Sequence, residues 1–346
     1  MPTLHLKSTL LAATITTYAA LSISAAPPPN PTKDTRHSVS PSKQLIPQPF
    51  VAPFSTGFEL NEFHPNNLNE ITWMTFDNTT PLPSPIPWGM GISYQFPGDI
   101  NDRHARLAPD PSPSKDNPNN TVLHYWLHNA TIDTGYLGHT KGRIQSGFPG
   151  HLDNAVELYS KQRMFIHEDF NLLHDYPATA DQWWKGIPFH DFWTGADWEG
   201  HPNPSNIGFL IIPLNNNFYL HAINRAMPEL DTIWEYNNFA DPIPVGEWFS
   251  IEIAYKMGDQ NNGRIVVAIT PESTNTRTIL LNITNITYDP DADLPGATGP
   301  VPITHWNPQK LYASDNTIHY IRDQGGTAQF FFDDFEFSGT WPANFP

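Results

Sequence analysis

The chain has no cysteine among its 346 residues, so no disulfide can staple it and stability must come from a buried core. That is feasible here, because roughly 300 residues bury about three quarters of their surface. Positive charge is also scarce: 18 lysines and arginines stand against 35 aspartates and glutamates, a formal net charge of −17. A phosphate backbone needs a basic surface, so nucleic acid is not an expected partner. The same acidity counts against a highly charged polyanion such as heparin, unless local basic rows concentrate positive potential. Beyond the N-terminus no run is long and apolar enough to span a bilayer, and no membrane contact is expected. Helical periodicity is limited to two short pieces, Glu168–Leu173 and Asp315–Arg322.

The N-terminus is an address rather than fold. Lys7, the mildly apolar Leu10–Ile23 and the small residues Ser24-Ala25-Ala26 read as a secretory signal over residues 1–26. Residues 27–53, rich in Pro and Ser, read as a flexible linker. Residues 54–346 show no further composition break or repeat and are expected to form one domain. Acceptor sequons at Asn78, Asn119, Asn129, Asn282 and Asn285 fit a secreted, extracellular glycoprotein, expected to be a monomer.

Strand signals fill the rest: Thr121–Thr131, Gly142–Gly147, Val156–His167, Gly208–Pro213, Phe218–Asn224, Trp248–Tyr255, Arg264–Thr270, Thr278–Ile286 and Ala328–Phe337. Turn residues separate them, which predicts an all-β, two-sheet antiparallel sandwich. The turn around Asn262-Gly263 makes Trp248–Thr270 a hairpin. Pro177–Ser205, with Trp183, Trp184, Trp193 and Trp198, is too long for an idle connection and is expected to wall a cleft.

Alternation within Val156–His167 separates two faces. Val156, Leu158, Met164 and Ile166 point one way; Glu157, Tyr159, Lys161, Arg163 and His167 point the other. Ser160 and Gln162 break the apolar row, and Phe165 breaks the polar one. A solvated face would alternate similarly, but this row carries a carboxylate, a phenol, two cations and an imidazole. Lys141, Arg143 and Gln145 form a second such row.

Several segments carry a resemblance. Val245-Gly246-Glu247-Trp248, Ile251–Lys256 and Asn262-Gly263-Arg264-Ile265 resemble the hairpin of concanavalin-like and laminin-G-like jelly rolls. Thr56-Gly57-Phe58-Glu59 resembles their first strand and Ala328–Phe337 their last. With Lys141–Gln145 ahead of the Glu157 strand, the order is similar to secreted jelly-roll polysaccharide lyases of the heparin- and glucuronan-lyase type. The His of a Gln-x-His pair is missing, since Gln145 is followed by Ser146 and Gly147.

The resemblance implies β-elimination on a uronic-acid polysaccharide of a plant or microbial cell wall, with no organic cofactor. Arg143, with Gln145, would hold the sugar carboxylate, and Tyr159 or His167 would move the protons. Lys141, Glu157, Lys161 and Arg163 would line the same groove. His124, His128, His139 and His221 stay open as alternative bases. A glycoside hydrolase remains an alternative with Glu157 as one carboxylate and Glu252 as a possible second, although the E-x-D-x-E spacing is absent. A lectin-like binding protein is the third reading. Where first and last strands meet, Glu59 and Asp334 are the candidate ligands of a structural calcium; the bland alternative is charge closing an edge strand.

Overall fold

Alternating burial along the segments builds the sheets. The computed structural model describes residues 54–59, 63–76, 89–95, 99–113, 117–129, 141–148, 155–177, 186–194, 205–227, 231–293, 295 and 299–346. The signal and linker expected over 1–53 and the sequon at Asn78 lie outside these residues, as do Trp183, Trp184, Trp198 and His139. The strands in chain order are β1 (Phe54–Thr56), β2 (Phe63–Pro65), β3 (Trp73–Phe76), β4 (Gly89–Gln95), β5 (Arg103–Pro109) and β6 (Thr121–Leu127). There follow β7 (Lys141–Gly147), β8 (Glu157–Ile166), β9 (Ile187–Thr194), β10 (Ser205–Leu214), β11 (Asn217–Ala226) and β12 (Asp231–Asn238). The last are β13 (Trp248–Lys256), β14 (Arg264–Pro271), β15 (Thr278–Thr284), β16 (Ile303–Asn307), β17 (Lys310–Ser314) and β18 (Ala328–Ser338).

The pairing is antiparallel, and the fold is an all-β sandwich. One layer is an eight-stranded sheet in the order β15-β14-β13-β8-β18-β6-β5, with β1 on β18. Two five-stranded sheets, β12-β11-β10-β9-β16 and β17-β7-β4-β3-β2, lie opposite. The chain passes from one to the other in a single step, since β16 pairs with β9 and β17 with β7. Phe192, Trp306 and Ile144 from this second layer pack in one core with Tyr255, Phe335 and Phe337 from the first.

The polar interruptions of the β8 apolar row have a structural cause. Gln162 Nε2 donates to Pro308 O, and Gln309 Nε2 donates to Gln162 Oε1. Ser146 Oγ donates to the Gln309 side chain and accepts from its backbone N–H. A strand that changes sheet leaves backbone groups buried in the core, and these side chains satisfy them. Phe165, on the other face, packs with Trp248, Phe331 and Val122.

The expected hairpin forms, with β13 and β14 paired from Phe249↔Pro271 to Lys256↔Arg264. Both short helices form: a 3-10 turn over Glu168–Asp175 and helix α1 over Asp315–Asp323, capped by Ser314 Oγ accepting from Thr317 N. The first strand differs from expectation. It spans Phe54–Thr56 and stops because Phe58 takes a left-handed backbone (φ 57°). Pro177–Ser205 also differs, because its middle is β9, bonded on both sides within its sheet. No helix among the described residues is long and apolar enough to cross a membrane.

Candidate functional site

The two polar rows belong to different sheets, which corrects the expectation of one shared groove. Strand β7 lies in the second layer and β8 in the first. Their outward rows point away from opposite sides of the sandwich, since Ile144 of β7 and Leu158 and Met164 of β8 all enter the same core.

On β8 the row is taken up by structural partners. Glu157 pairs with Lys256 at 3.0 Å and Lys161 with Glu336 at 3.7 Å. Arg163 reaches Glu272 at 2.7 Å and Asp333 at 2.9 Å, and its guanidinium lies 4.3 Å from the Trp248 ring centroid. Tyr159 donates to Glu252, which also accepts from Arg277. Burial, reinforced by Glu252, pushes the Tyr159 phenol well above its ordinary range, which disfavours proton transfer at neutral pH. His167 caps the 3-10 turn by accepting from Asp169 N. Trp341 and Phe345 pack over Ala254, Val266, Ala268 and Tyr159, covering part of this face. His124 lies on the same layer, stacked on Phe331 at 4.3 Å, and burial takes its pKa down to about 3.

The β7 row has a different neighbourhood. Register places Lys310, Tyr312 and Ser314 of β17 opposite Gln145, Arg143 and Lys141, on the face away from the core. Three cations surround one phenol: from the Tyr312 ring centroid, Lys310 Nζ is at 5.4 Å, Lys141 Nζ at 5.5 Å and the Arg143 guanidinium carbon at 5.7 Å. Asp191 of β9 stands beside them, taking hydrogen bonds from Lys310 Nζ and Asn307 Nδ2.

Electrostatics follow from burial. Asp191 is buried, which alone would raise its pKa, but Lys310 and Asn307 hold it below the ordinary carboxylate range. Burial pulls the Arg143 guanidinium down, opposed by Tyr312 and Asp191. Among the described residues, the buried atoms Arg143 Nε and Gln145 Oε1 have no hydrogen-bond partner. Buried polar groups are rarely left so. His221 lies on the outer face of the same layer, its Nδ1 2.8 Å from Asn237 Oδ1.

Lys141, Arg143 and Gln145 are thus brought together as the sequence suggested, while Glu157, Tyr159, Lys161, Arg163 and His167 are held elsewhere. Asp191, Asn307, Lys310 and Tyr312 escaped the sequence reading. Lys310-Leu311-Tyr312-Ala313-Ser314 has the same polar–apolar alternation as β8, compressed into five residues after Pro308.

At the chain ends, β1 pairs with β18, Thr56 opposite Phe335. Asp334 sits at the β18 bulge with φ 45° and an exposed carboxylate. Its neighbour Asp333 is engaged by Arg163 and Asn120. Among the described residues no group of three or more His, Asp or Glu is arranged to hold a metal ion. Of the sequons, Asn119 and Asn282 are exposed; Asn285 and Asn129 are half-buried, and Asn129 bonds Asp102 and Arg322.

No family model matches the chain, and no curated protein matches it. Solved structures do. An endo-beta-1,4-glucuronan lyase from the fungus Trichoderma reesei is 13% identical, with a TM-score of 0.42, covering 71% of this chain and 91% of that one. An alginate lyase from a Chlorella virus is 12% identical, with a TM-score of 0.38 over 72% of this chain and 92% of its own. An alginate lyase from Aplysia kurodai is 10% identical, with a TM-score of 0.38 over 67% and 86%. Similarity at this level identifies no reaction, and the chemistry below rests on this chain's own side chains.

Proposed function

We propose that this chain is an exported lyase that cleaves a uronic-acid polysaccharide by β-elimination on the outer face of β7 and β17. The observation that carries this reading is the Tyr312 phenol ringed by Lys141, Arg143 and Lys310, beside the unpartnered Arg143 Nε and Gln145 Oε1.

The hard step in β-elimination is removing the proton on the carbon next to the sugar carboxylate. A cationic wall that neutralises the carboxylate acidifies that proton, and a planar guanidinium binds a carboxylate with two parallel hydrogen bonds. Arg143 takes that role and Gln145 supports it. Tyr312 removes the proton, the carbon–oxygen bond to the leaving sugar breaks, and the Tyr312 hydroxyl passes that proton on to the leaving oxygen. The site has the polar and cationic groups of a uronate site. Hydrolysis would need a second free carboxylate facing the first, and Asp191 is already held by Lys310 and Asn307.

The test is a screen on glucuronan, alginate and pectate, following the new double bond by absorbance near ~235 nm, the signature of elimination at an acid/base site. Tyr312→Phe should lower turnover at least about a hundredfold, the low end of a positioned proton-transfer group. Tyr159→Phe should leave turnover within a few-fold of wild type. The reverse ranking would move the chemistry to β8. New reducing ends without absorbance would mean hydrolysis.

A further inference from the structure

Two glycines beside the cationic cluster lack an internal reason to be glycine. Gly91 of β4 and Gly147 of β7 are cross-strand partners, on the same face as Gln145 and Ser93. A Cβ on Gly91 would touch the Trp73 ring at 3.6 Å, an ordinary contact that alanine could make, and one on Gly147 would meet nothing closer than 3.8 Å. Neither has a left-handed backbone. Glycine within a strand weakens it, and where the fold does not demand it, it marks a close approach by something else. Gly89 is the contrast. A Cβ there would sit 2.6 Å from both the Trp73 ring and Met74 O, so that glycine lets the indole lie flat on the strand.

Trp73 pairs with Gly91, so indole, Gly91 and Gly147 form one row across three strands. The row ends at Asn307, whose Oδ1 would lie 3.8 Å from a Gly147 Cβ. The half-exposed Trp73 ring therefore lies against Gly91, and the backbone floor continues from there to Gly147 and the Asn307 amide. Strand spacing of ~4.8 Å and a rise of ~3.4 Å per residue put Trp73 about 12 Å from Gln145, two strands across and two residues along.

We infer that Gly91, Gly147 and Trp73 form a sugar subsite adjoining the cationic cluster, which takes a pyranose ring of the polysaccharide chain beyond the residue being cleaved. This rests on the proposed lyase reading and adds where the chain runs: from the Tyr312 cluster across β7 and β4 towards β3. The backbone floor admits the ring closely, and the Trp73 indole offers the flat apolar surface against which a sugar's C–H face packs.

The experiment fills the floor. Gly91→Val and Gly147→Val, with the milder Gly91→Ala and Gly147→Ala, are compared with wild type on hexasaccharide and disaccharide oligoglucuronates and oligoalginates. Turnover and tryptophan fluorescence titration are both measured, alongside thermal unfolding. KM and Kd for the hexasaccharide should rise about tenfold or more in the valine variants, the size of one lost ring contact. The alanine variants should rise less, while kcat, disaccharide affinity and the unfolding midpoint stay near wild type. Unchanged hexasaccharide affinity in folded valine variants would overturn the subsite and leave the lyase reading standing. Unfolding of the alanine variants would overturn it too, by showing that the fold itself needs bare glycine. A wild-type protein that neither binds nor cleaves any uronic-acid glycan would overturn both.

Discussion

Replacing Lys310 with methionine tests the electrostatic account of the site without needing a substrate. The change keeps most of the aliphatic stem and removes the ammonium. Asp191 is then left with Asn307 as its hydrogen-bond donor, in a place where only about 4% of either paired side chain is exposed. Breaking a buried pair by removing one partner costs about 3–5 kcal/mol, because the remaining charge is uncompensated. The carboxyl can escape by protonating, so the cost depends on pH. In wild type the folded Asp191 pKa is depressed, so the pair's stabilisation is complete above the unfolded value of about 3.9 and is lost only below it. In Lys310→Met, burial without the ammonium raises the folded pKa above the unfolded one. The neutral form is then favoured at low pH, and stability is lost as pH rises through the new value. Urea unfolding between about pH 4.5 and 7.5 should therefore show a deficit of about 3–5 kcal/mol at the upper end that narrows towards the lower. Adding Asp191→Asn should recover part of it and flatten the pH dependence. A deficit below about 1 kcal/mol, the range of an exposed ion pair, or one independent of pH, would refute the reasoning.

Further outcomes follow from the same contacts. Gln309→Leu removes the side-chain acceptor of the Ser146 hydroxyl and leaves Gln162 Oε1 without its donor in the core, and an unsatisfied buried group costs about 1–3 kcal/mol; an unchanged unfolding midpoint would refute the buried network. Burial, reinforced by Asp334, raises the Asp333 pKa to about 6 despite Arg163 and Asn120. Its stabilising neutral form is complete below about 3.9 and lost as pH rises through about 6. Asp333→Asn should therefore gain on wild type in urea unfolding between those values, and the opposite trend would count against it. Phe345→Ala uncovers apolar surface over Ala254, Val266 and Ala268 and should cost about 3 kcal/mol, the low end for a buried phenylalanine. A change under about 1 kcal/mol in thermal unfolding would mean that the C-terminal segment does not pack there.

The fold was legible where alternation was long. Strand β8 spans ten residues and β18 eleven, enough to separate a core face from a polar one. Strands of three to five residues, such as β1, β3, β16 and β17, give too few alternations to stand out from loops. Strand β9 was hidden differently, because seven of its eight residues are buried and no polar face betrays the period. Ser160 and Gln162 looked like flaws in the β8 pattern, yet Gln162 bonds the chain where it crosses between sheets.

What the sequence determined by itself was the class of fold, the hairpin Trp248–Thr270, both short helices and the chemically loaded rows on β7 and β8. Alternation is local, and it decides which side of its own strand a residue occupies. It does not decide which sheet the strand joins. Only the tertiary structure put β7 and β8 in opposite layers, matched the β8 charges with Lys256, Glu336, Asp333 and Glu272, and brought Tyr312 and Asp191 to the β7 row. Those partners are separated from Arg143 by 169 and 48 positions in the chain. They meet because β17 pairs with β7 and because the chain crosses from β16 to β17 beside β9. The identity of the phenol next to Arg143 was therefore settled by strand pairing, a long-range choice made by how the whole apolar surface is buried.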